Sequence, residues 1–455
     1  MEELIAAVAT GQTKSAVGIV RMSGKGAIPC AAKVFRPVSG GALGTGTPRR
    51  LVLGDIVAAD GTVLDRALAT FSLAPNSYTG EDTVEFHCHG SPTVLGMTLE
   101  ALFQQGARQA RAGEFTRRAF LNGKLDLTQA EAVADLIDAQ TPAAAKLAAG
   151  QLGGTLSRKI EEVYDRLTDV LAHFHVLVDY PDEDVDPFGV PEITAAVDRC
   201  MTTLRTLLDG YQRSGRYLRG IPTAIVGPPN AGKSSLLNAL LGYDRAIVTP
   251  IPGTTRDTVE ETCQLGEVLL RLTDTAGLRD TDDTVERLGV ERSRKAMEGA
   301  ALILAVLDLS RPATPEDIAL IREAEGLKNA KTILIFNKND LPARLVWTDR
   351  VDVAAQVQVS AKTGEGLDEL AARIGELLPQ EDGGAVYFTN QRQAVAAREA
   401  LEALERAKEG LEAGMSPDGP LSDVEGAMDA LGQLTGRVVR EDVVDRIFSR
   451  FCVGK

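Results

Sequence analysis

The sequence predicts a multidomain α/β protein: an α+β domain at the N-terminus, a helical-bundle domain, and a doubly wound α/β domain inserted into the helical one. Three observations predict it. Up to about residue 120, short β-branched runs alternate apolar and polar side chains; Val84, Phe86 and Cys88 share one face, and Glu85, His87 and His89 the other. Over residues 121–219, and again over 381–455, apolar residues recur at helical spacing. Between these stretches, residues 220–380 carry β-branched runs that lead into loops rich in Gly, Ser, Thr, Asn and Asp. A length of 455 residues agrees with about three domains.

Composition excludes some function classes. A formal net charge of −15 rules out coating nucleic acid by bulk charge, so any RNA contact must use a local basic patch. The five cysteines (Cys30, Cys88, Cys200, Cys263 and Cys452) include no C-x-x-C pair, and their odd number points to a reducing cytosol. Met1-Glu2-Glu3 is acidic and no long apolar run follows, so neither a signal peptide nor a membrane span is expected, and a cytoplasmic location is.

In the first domain, strands are expected at Gly18 to Met22, Arg50 to Ala58, Ala67 to Leu73 and Thr83 to Cys88. Ser91-Pro92 marks a helix start and Gly106 its stop. Alternation sets Cys88 opposite His87 and His89, which argues against a metal site there. Thr128-Gln129-Ala130-Glu131 reads as a capping box ahead of the stripe Ala130, Val133, Ala134, Leu136 and Ile137. A long helical pattern from about 143 to 178 predicts a bundle helix broken at Gly153-Gly154, with His173 and His175 solvated or packed rather than ligating. The acidic turn from Asp179 to Asp186 reads as a solvated loop, and the next helix runs to Arg213, Arg216 and Arg219. After a linker at residues 378–384, helices are expected at Asn390 to Glu412, Leu421 to Leu434 and Glu441 to Phe451. Three such helices lack a core of their own and must pack on the helices before about residue 215.

The stretch Gly227-Pro228-Pro229-Asn230-Ala231-Gly232-Lys233-Ser234 reads G-x-x-x-x-G-K-S between the run Thr223 to Val226 and a helical run that begins at Ser235. Its glycines let N–H groups turn onto phosphate oxygens, the helix adds its positive end, Lys233 neutralises the β/γ-phosphates and Ser234 holds Mg²⁺. Asp274-Thr275-Ala276-Gly277 follows the run Val268 to Thr273; Asp274 can hold the Mg²⁺ shell and the Gly277 N–H the γ-phosphate. In Asn337-Lys338-Asn339-Asp340 a carboxylate can accept from guanine N1 and N2, a donor pair that adenine lacks, and Ser360-Ala361-Lys362 can back the base. Gly253-Thr254-Thr255-Arg256-Asp257, preceded by Thr249-Pro250-Ile251-Pro252, lies between the P-loop and Asp274, where a switch threonine, Thr255, would reach Mg²⁺. These motifs, in this order, resemble the guanine-nucleotide-binding module of translation-factor-like GTPases, which implies a Ras-like P-loop domain that binds GTP.

Other stretches extend the resemblance over the whole chain. They are Pro75 to Asp82 (P-N-S-Y-T-G-E-D), His89-Gly90, Glu114 to Asn122, Lys124 to Glu131, Gly227 to Leu237, and the final Phe451-Cys452-Val453-Gly454-Lys455. Together they are similar to the bacterial tRNA-modification GTPases of the MnmE (TrmE) family. The resemblance implies an N-terminal folate-binding domain that also forms a homodimer. It further implies a flavoprotein partner, MnmG (GidA), which brings FAD and joins in a heterotetramer. The complex adds carboxymethylaminomethyl or aminomethyl at C5 of the wobble uridine of certain tRNAs, drawing a one-carbon unit from 5-formyl- or 5,10-methylenetetrahydrofolate. Carried over, the folate contacts are Arg21, Glu81, Lys124 and Lys455, types that suit a pterin's donors and folate's carboxylates. Cys452 becomes a candidate for covalent work. One departure is the stretch from Ala9 to Ala16, where the family carries a Gly/Arg-rich turn.

The position after D-x-x-G, which holds a water-orienting Gln in Ras-type enzymes, is Leu278 here, and Leu cannot orient water. Asn230 can help coordinate a monovalent cation beside the phosphates; the resemblance implies K⁺, with Thr249, Ile251 and Thr254 completing its site. Asp280, Asp282, Asp283 and Glu286 are all candidates by spacing for positioning the water, and the resemblance selects Glu286. Two other classes share part of this pattern. A ribosome-assembly GTPase would need a basic RNA-binding module but neither the folate-type residues nor the final Phe-Cys-Val-Gly-Lys, and a regulatory scaffold would bind GTP and recruit a partner.

Overall fold

A computed structural model describes residues 3–11, 13–179, 190–218, 220–243, 261–266, 268–272, 294, 296–327, 329–347, 351–377, 386–416, 418–438, 441–449 and 451–455. The acidic turn after Asp179 and the linker after Leu377 lie outside these residues. The chain divides into two compact units, one of residues 1–134, 151–200 and 399–455, the other of residues 135–150 and 201–398.

The first unit opens with a seven-stranded sheet. Its strands are β1 (Ile5–Val8), β2 (Ser15–Ser23), β3 (Phe35–Pro37), β4 (Val52–Val57), β5 (Val63–Ser72), β6 (Thr83–Gly90) and β7 (Arg108–Gln109), in spatial order β3-β4-β5-β6-β2-β1-β7. Pairing is antiparallel except for β1 with β7. The alternation read in β6 decides its orientation: Val84, Phe86 and Cys88 are buried, with Val20 and Met22 of β2, under α1 (Ala27–Val34) and α2 (Pro92–Phe103). Cys88 lies 4.0 Å from the Thr98 hydroxyl, whereas His89 pairs with Asp65 at 2.7 Å. Among the described residues no His, Cys, Asp and Glu cluster could hold a metal.

The helical part of this unit begins with α3 (Glu114–Leu121) and α4 (Leu127–Asp138). The capping box of α4 is two residues earlier than Thr128 to Glu131. Asp126 Oδ1 accepts from the Gln129 N–H at 2.9 Å, and Gln129 Oε1 accepts from the Asp126 N–H at 3.0 Å. Thr128 is inside the helix and buried, its hydroxyl 2.7 Å from that of Ser157. Both Asp-x-x-Gln and Thr-x-x-Glu satisfy the pattern, and the side chain that faces the free N–H groups decides. After α5 (Pro142–Leu152), most of which belongs to the second unit, the chain breaks at Gly153-Gly154, where Gly154 takes φ +77°, and α6 (Thr155–Asp179) follows in the first unit. Its stripe Leu156, Ile160, Val163, Leu167, Val170 and Phe174 is buried. α7 (Val190–Leu218) meets α6 where the Cys200 thiol reaches the Val163 carbonyl at 4.0 Å.

The second unit holds a six-stranded sheet of β8 (Ile221–Val226), β9 (Glu261–Leu265), β10 (Val268–Leu272), β11 (Leu302–Asp308), β12 (Lys331–Asn337) and β13 (Ala355–Gln358), in the order β13-β12-β11-β8-β10-β9. All neighbours are parallel except β9 and β10. α8 (Lys233–Tyr243) and α10 (Leu367–Leu377) cover one face through Leu236, Leu240, Leu370 and Ile374, and α9 (Pro315–Glu325) the other through Ile321 and Ala324. The near-continuous apolar strands Leu302–Asp308 and Lys331–Asn337 are what a sheet covered on both faces requires. Strand order reverses at β8, so the carboxyl ends of β8, β11 and β12 frame a crevice at the topological switch point.

The later helices, α11 (Gln391–Glu412), α12 (Asp418–Thr435) and α13 (Glu441–Phe448), agree with the three expected ones. In the first unit α12 packs along α6, and Lys408 of α11 pairs with Asp198 of α7 at 2.7 Å. Among the described residues no helix is long and apolar enough to cross a membrane.

Candidate functional site

The P-loop leaves β8 at Gly227 and enters α8 at Lys233. It has no room for side chains at its glycines. A Cβ on Gly227 would lie 2.3 Å from the Val306 carbonyl oxygen, and one on Gly232, whose φ is +93°, would lie 2.2 Å from Asn337 Nδ2. Asn230 takes a left-handed φ of 61°. The Lys233 ammonium curls back into the loop and donates to the carbonyls of Gly227 and Pro228, each at 2.9 Å; burial pushes its pKa down. An inward-turned loop, a cation at its centre and a helix N-terminus with Ser234 and Ser235 in its first turn together form a donor set suited to phosphate and Mg²⁺.

Asn337 joins this loop to the base side. Its Nδ2 donates to the Ala231 carbonyl at 2.9 Å, and its Oδ1 accepts from the Ala361 N–H at 3.0 Å. Asp340 Oδ1 accepts from the Ser360 hydroxyl at 2.7 Å, and Ser360 Oγ also accepts from the Thr363 N–H at 3.2 Å. The second Asp340 oxygen makes the pair suitable for a guanine edge. Lys362 is exposed beside them. Asp308, missed by the motif reading, belongs to this group: it ends β11 and accepts from Lys338 Nζ at 2.6 Å. Burial pushes the Asp308 carboxyl up, but the hydrogen bonds from Lys338 and Ser310 outweigh burial and hold it below its ordinary range. A lone carboxylate closing an otherwise apolar strand was the available signal.

Thr249, Pro250, Ile251, Pro252, Gly253, Thr254, Thr255, Asp274, Thr275, Ala276, Gly277 and Glu286 lie outside the described residues.

All four residues of the second expected site belong to the first unit. Arg21 on β2 pairs with Glu85 at 2.7 Å, and its guanidinium lies 5.6 Å from the Tyr78 ring centroid and 5.8 Å from that of Phe115. Glu81 is only 7% exposed. Its carboxylate accepts from the Ser23 hydroxyl at 2.6 Å and from Arg118 Nη1 at 3.0 and 3.2 Å, so most of its hydrogen-bonding capacity is used inside the unit. Arg118 continues to Glu114, which Arg108 also holds at 2.6 and 2.9 Å. Burial pushes the Glu114 carboxyl up; hydrogen bonds from Arg108, Arg111 and Arg118 reverse this and bring it down to about 2. The Lys124 stem runs beside Gly80. The final residues dock on the start of α3: Ala112 bridges to Val453, and the Phe115 N–H donates to the Lys455 main-chain oxygen at 3.2 Å. Cys452 is exposed. The surroundings, with cations, an aromatic face and a docked terminus, suit an anionic aromatic ligand such as a folate.

The model of the GTP-binding protein TrmE N-terminus matches residues 4–124, and that of the MnmE helical domain matches residues 127–452. The tRNA modification GTPase MnmE of Chloroflexus aurantiacus is 43% identical over 100% of both chains. The chain belongs to the MnmE (TrmE) family of tRNA-modification GTPases. Another MnmE, from Clostridioides difficile, is 41% identical, again over 100% of both chains. A crystal structure of Aquifex aeolicus Era is 28% identical, covering 40% of this chain and 65% of that one with a TM-score of 0.26, too partial a likeness to bear on the assignment.

Proposed function

We propose that this MnmE-family protein is a K⁺-activated GTP hydrolase that, with a flavoprotein partner, installs a carboxymethylaminomethyl or aminomethyl group at C5 of the wobble uridine of certain tRNAs. The observation that carries the GTPase half is Asn337, which clasps the P-loop through Ala231 and the base loop through Ala361. In this reading Lys233 and the loop N–H groups bind the phosphates of GTP, and Asp340, backed by Ser360, selects guanine. Ser234 and Thr255 would hold Mg²⁺, with Asp274 supporting its shell, and the ion would supply charge neutralisation. Asn230, Thr249, Ile251 and Thr254 would hold K⁺, which would supply the charge that an arginine finger otherwise brings. Glu286 orients the attacking water, since Leu278 cannot.

The one-carbon unit comes from a tetrahydrofolate seated against Arg21, Glu81, Lys124 and Lys455. Most of the Glu81 carboxylate is engaged by Ser23 and Arg118, so its free lone pairs are fixed in direction, an advantage for reading a pterin's donors. Cys452, which is exposed, is the candidate for covalent work in this reading. We place the protein in the cytoplasm as a homodimer that joins MnmG, which brings FAD, in a heterotetramer. The four-part division at residues 120, 219 and 380 is part of the same reading.

Mass spectrometry of tRNA nucleosides from cells with and without the gene tests the modification. Loss of 5-aminomethyl-type wobble uridines, restored by the full chain but not by one lacking Cys452 to Lys455, is expected; an unchanged profile would leave a GTPase without this role. GTP turnover should be far faster in KCl than in NaCl at matched ionic strength, and equal rates would remove the K⁺ step.

A further inference from the structure

We propose that Asp308 is a positioning residue for the guanine-nucleotide site, acting through Lys338. The inference rests on the proposed reading of that site. β11 is buried along its whole length and ends in a carboxylate that is 7% exposed. Strand register sets Asp308 directly beside Asn337, the first residue of the base-binding loop. Each carboxylate oxygen has its own task. Oδ1 accepts from the Ser310 N–H at 2.8 Å and the Ser310 hydroxyl at 2.6 Å, and Oδ2 accepts from Lys338 Nζ at 2.6 Å. Ser310 therefore fixes the carboxylate, and the carboxylate fixes the ammonium.

Lys338 is held at its other end too. Its φ is 69°, a region that side-chain-bearing residues avoid, and its carbonyl accepts from the Leu341 N–H at 3.0 Å. Between these two anchors the methylenes run past the P-loop: Lys338 Cε lies 4.0 Å from the point a Cβ on Gly232 would occupy. A lysine anchored at both ends presents its stem as a fixed apolar wall instead of a flexible chain. That wall borders the crevice that Asn337 and Asp340 open onto, where a purine ring would lie with its face against the stem. Asp308 thereby removes in advance the rotamer freedom that Lys338 would lose on binding.

The competing role is purely structural, a polar closure for the end of β11. Dissociation of a fluorescent GDP analogue from the full-length protein separates the two. Asp308→Asn keeps shape and an acceptor for Ser310 but removes the charge. It should release the nucleotide about tenfold faster, with the unfolding temperature of the nucleotide-free protein little changed. Lys338→Met keeps the stem and removes the ammonium. In the Lys338→Met background, Asp308→Asn should add nothing further, because the two residues act as one unit. Should Asp308→Asn not fold, Ser310→Ala loosens the same carboxylate and is read by the same cycle with a smaller effect. Unchanged dissociation in Asp308→Asn, or an effect equally large without the lysine ammonium, would overturn the proposal. Failure of the unaltered protein to bind the GDP analogue would instead overturn the guanine-site reading itself.

Discussion

Asn337 reaches across 106 residues of sequence to the Ala231 carbonyl, so one amide side chain spans the phosphate loop and the base loop. Asn337→Ala would leave the Ala231 carbonyl and the Ala361 N–H each without its partner, and a buried group left unpaired costs about 1–3 kcal/mol. Calorimetric titration with GDP should show affinity falling at least about tenfold, which corresponds to about 1.4 kcal/mol.

The acid limb of stability carries a signature of Glu114. Its folded pKa, about 2, is below the usual 4.5, so its stabilising contribution is fully present above about pH 4.5 and fades as pH falls toward 2. Thermal unfolding of Glu114→Gln against the unaltered protein should show a gap that is constant at neutral pH and narrows below pH 4.5. A gap independent of pH down to 2 would contradict the charge pairing with Arg108 and Arg118.

Gly454 takes φ +99°, and a Cβ there would lie 2.1 Å from the Val8 carbonyl oxygen. Gly454→Ala should therefore lift the final residues from the start of α3 at a cost of about 1–3 kcal/mol. 5-Formyltetrahydrofolate should bind more weakly by about tenfold or more, while GTP binding in the other unit is unaffected.

Asp126→Ala removes the cap of α4 and should destabilise the first unit by about 1 kcal/mol. Denaturant unfolding monitored by circular dichroism reads this as a lower midpoint. Glu131→Ala tests the alternative box; since Asp126 and Gln129 close the reciprocal pair, it should leave the cap intact.

The elements legible in the sequence were those fixed by local physics. The β6 alternation, the Gly153-Gly154 break and the strand–loop–helix at Gly227 all follow from periodicity and backbone freedom. The misplaced capping box shows where local rules stop. Thr128 and Asp126 are both good caps, and burial of Thr128 against Ser157, 29 residues away, settles which one serves. The same holds for the sites. Arg21, Glu81, Lys124 and Lys455 were named through resemblance, but the chain Ser23–Glu81–Arg118–Glu114–Arg108 depends on partners far apart in sequence. Asp308 had no motif to mark it; only strand register places it beside Asn337.

The discontinuity of the first unit has a consequence for its making. The apolar stripe of α6 emerges from the ribosome long before α12, the helix that packs along it. At about 5–20 residues per second the wait is roughly 10–50 s. During that interval Leu156, Ile160, Val163, Leu167, Val170 and Phe174 lack that cover, and a nascent chain in that condition is a natural client for a holding chaperone. A slower message between the codons for Asp179 and Asp418 should lengthen the wait and lower the soluble yield without altering a single residue.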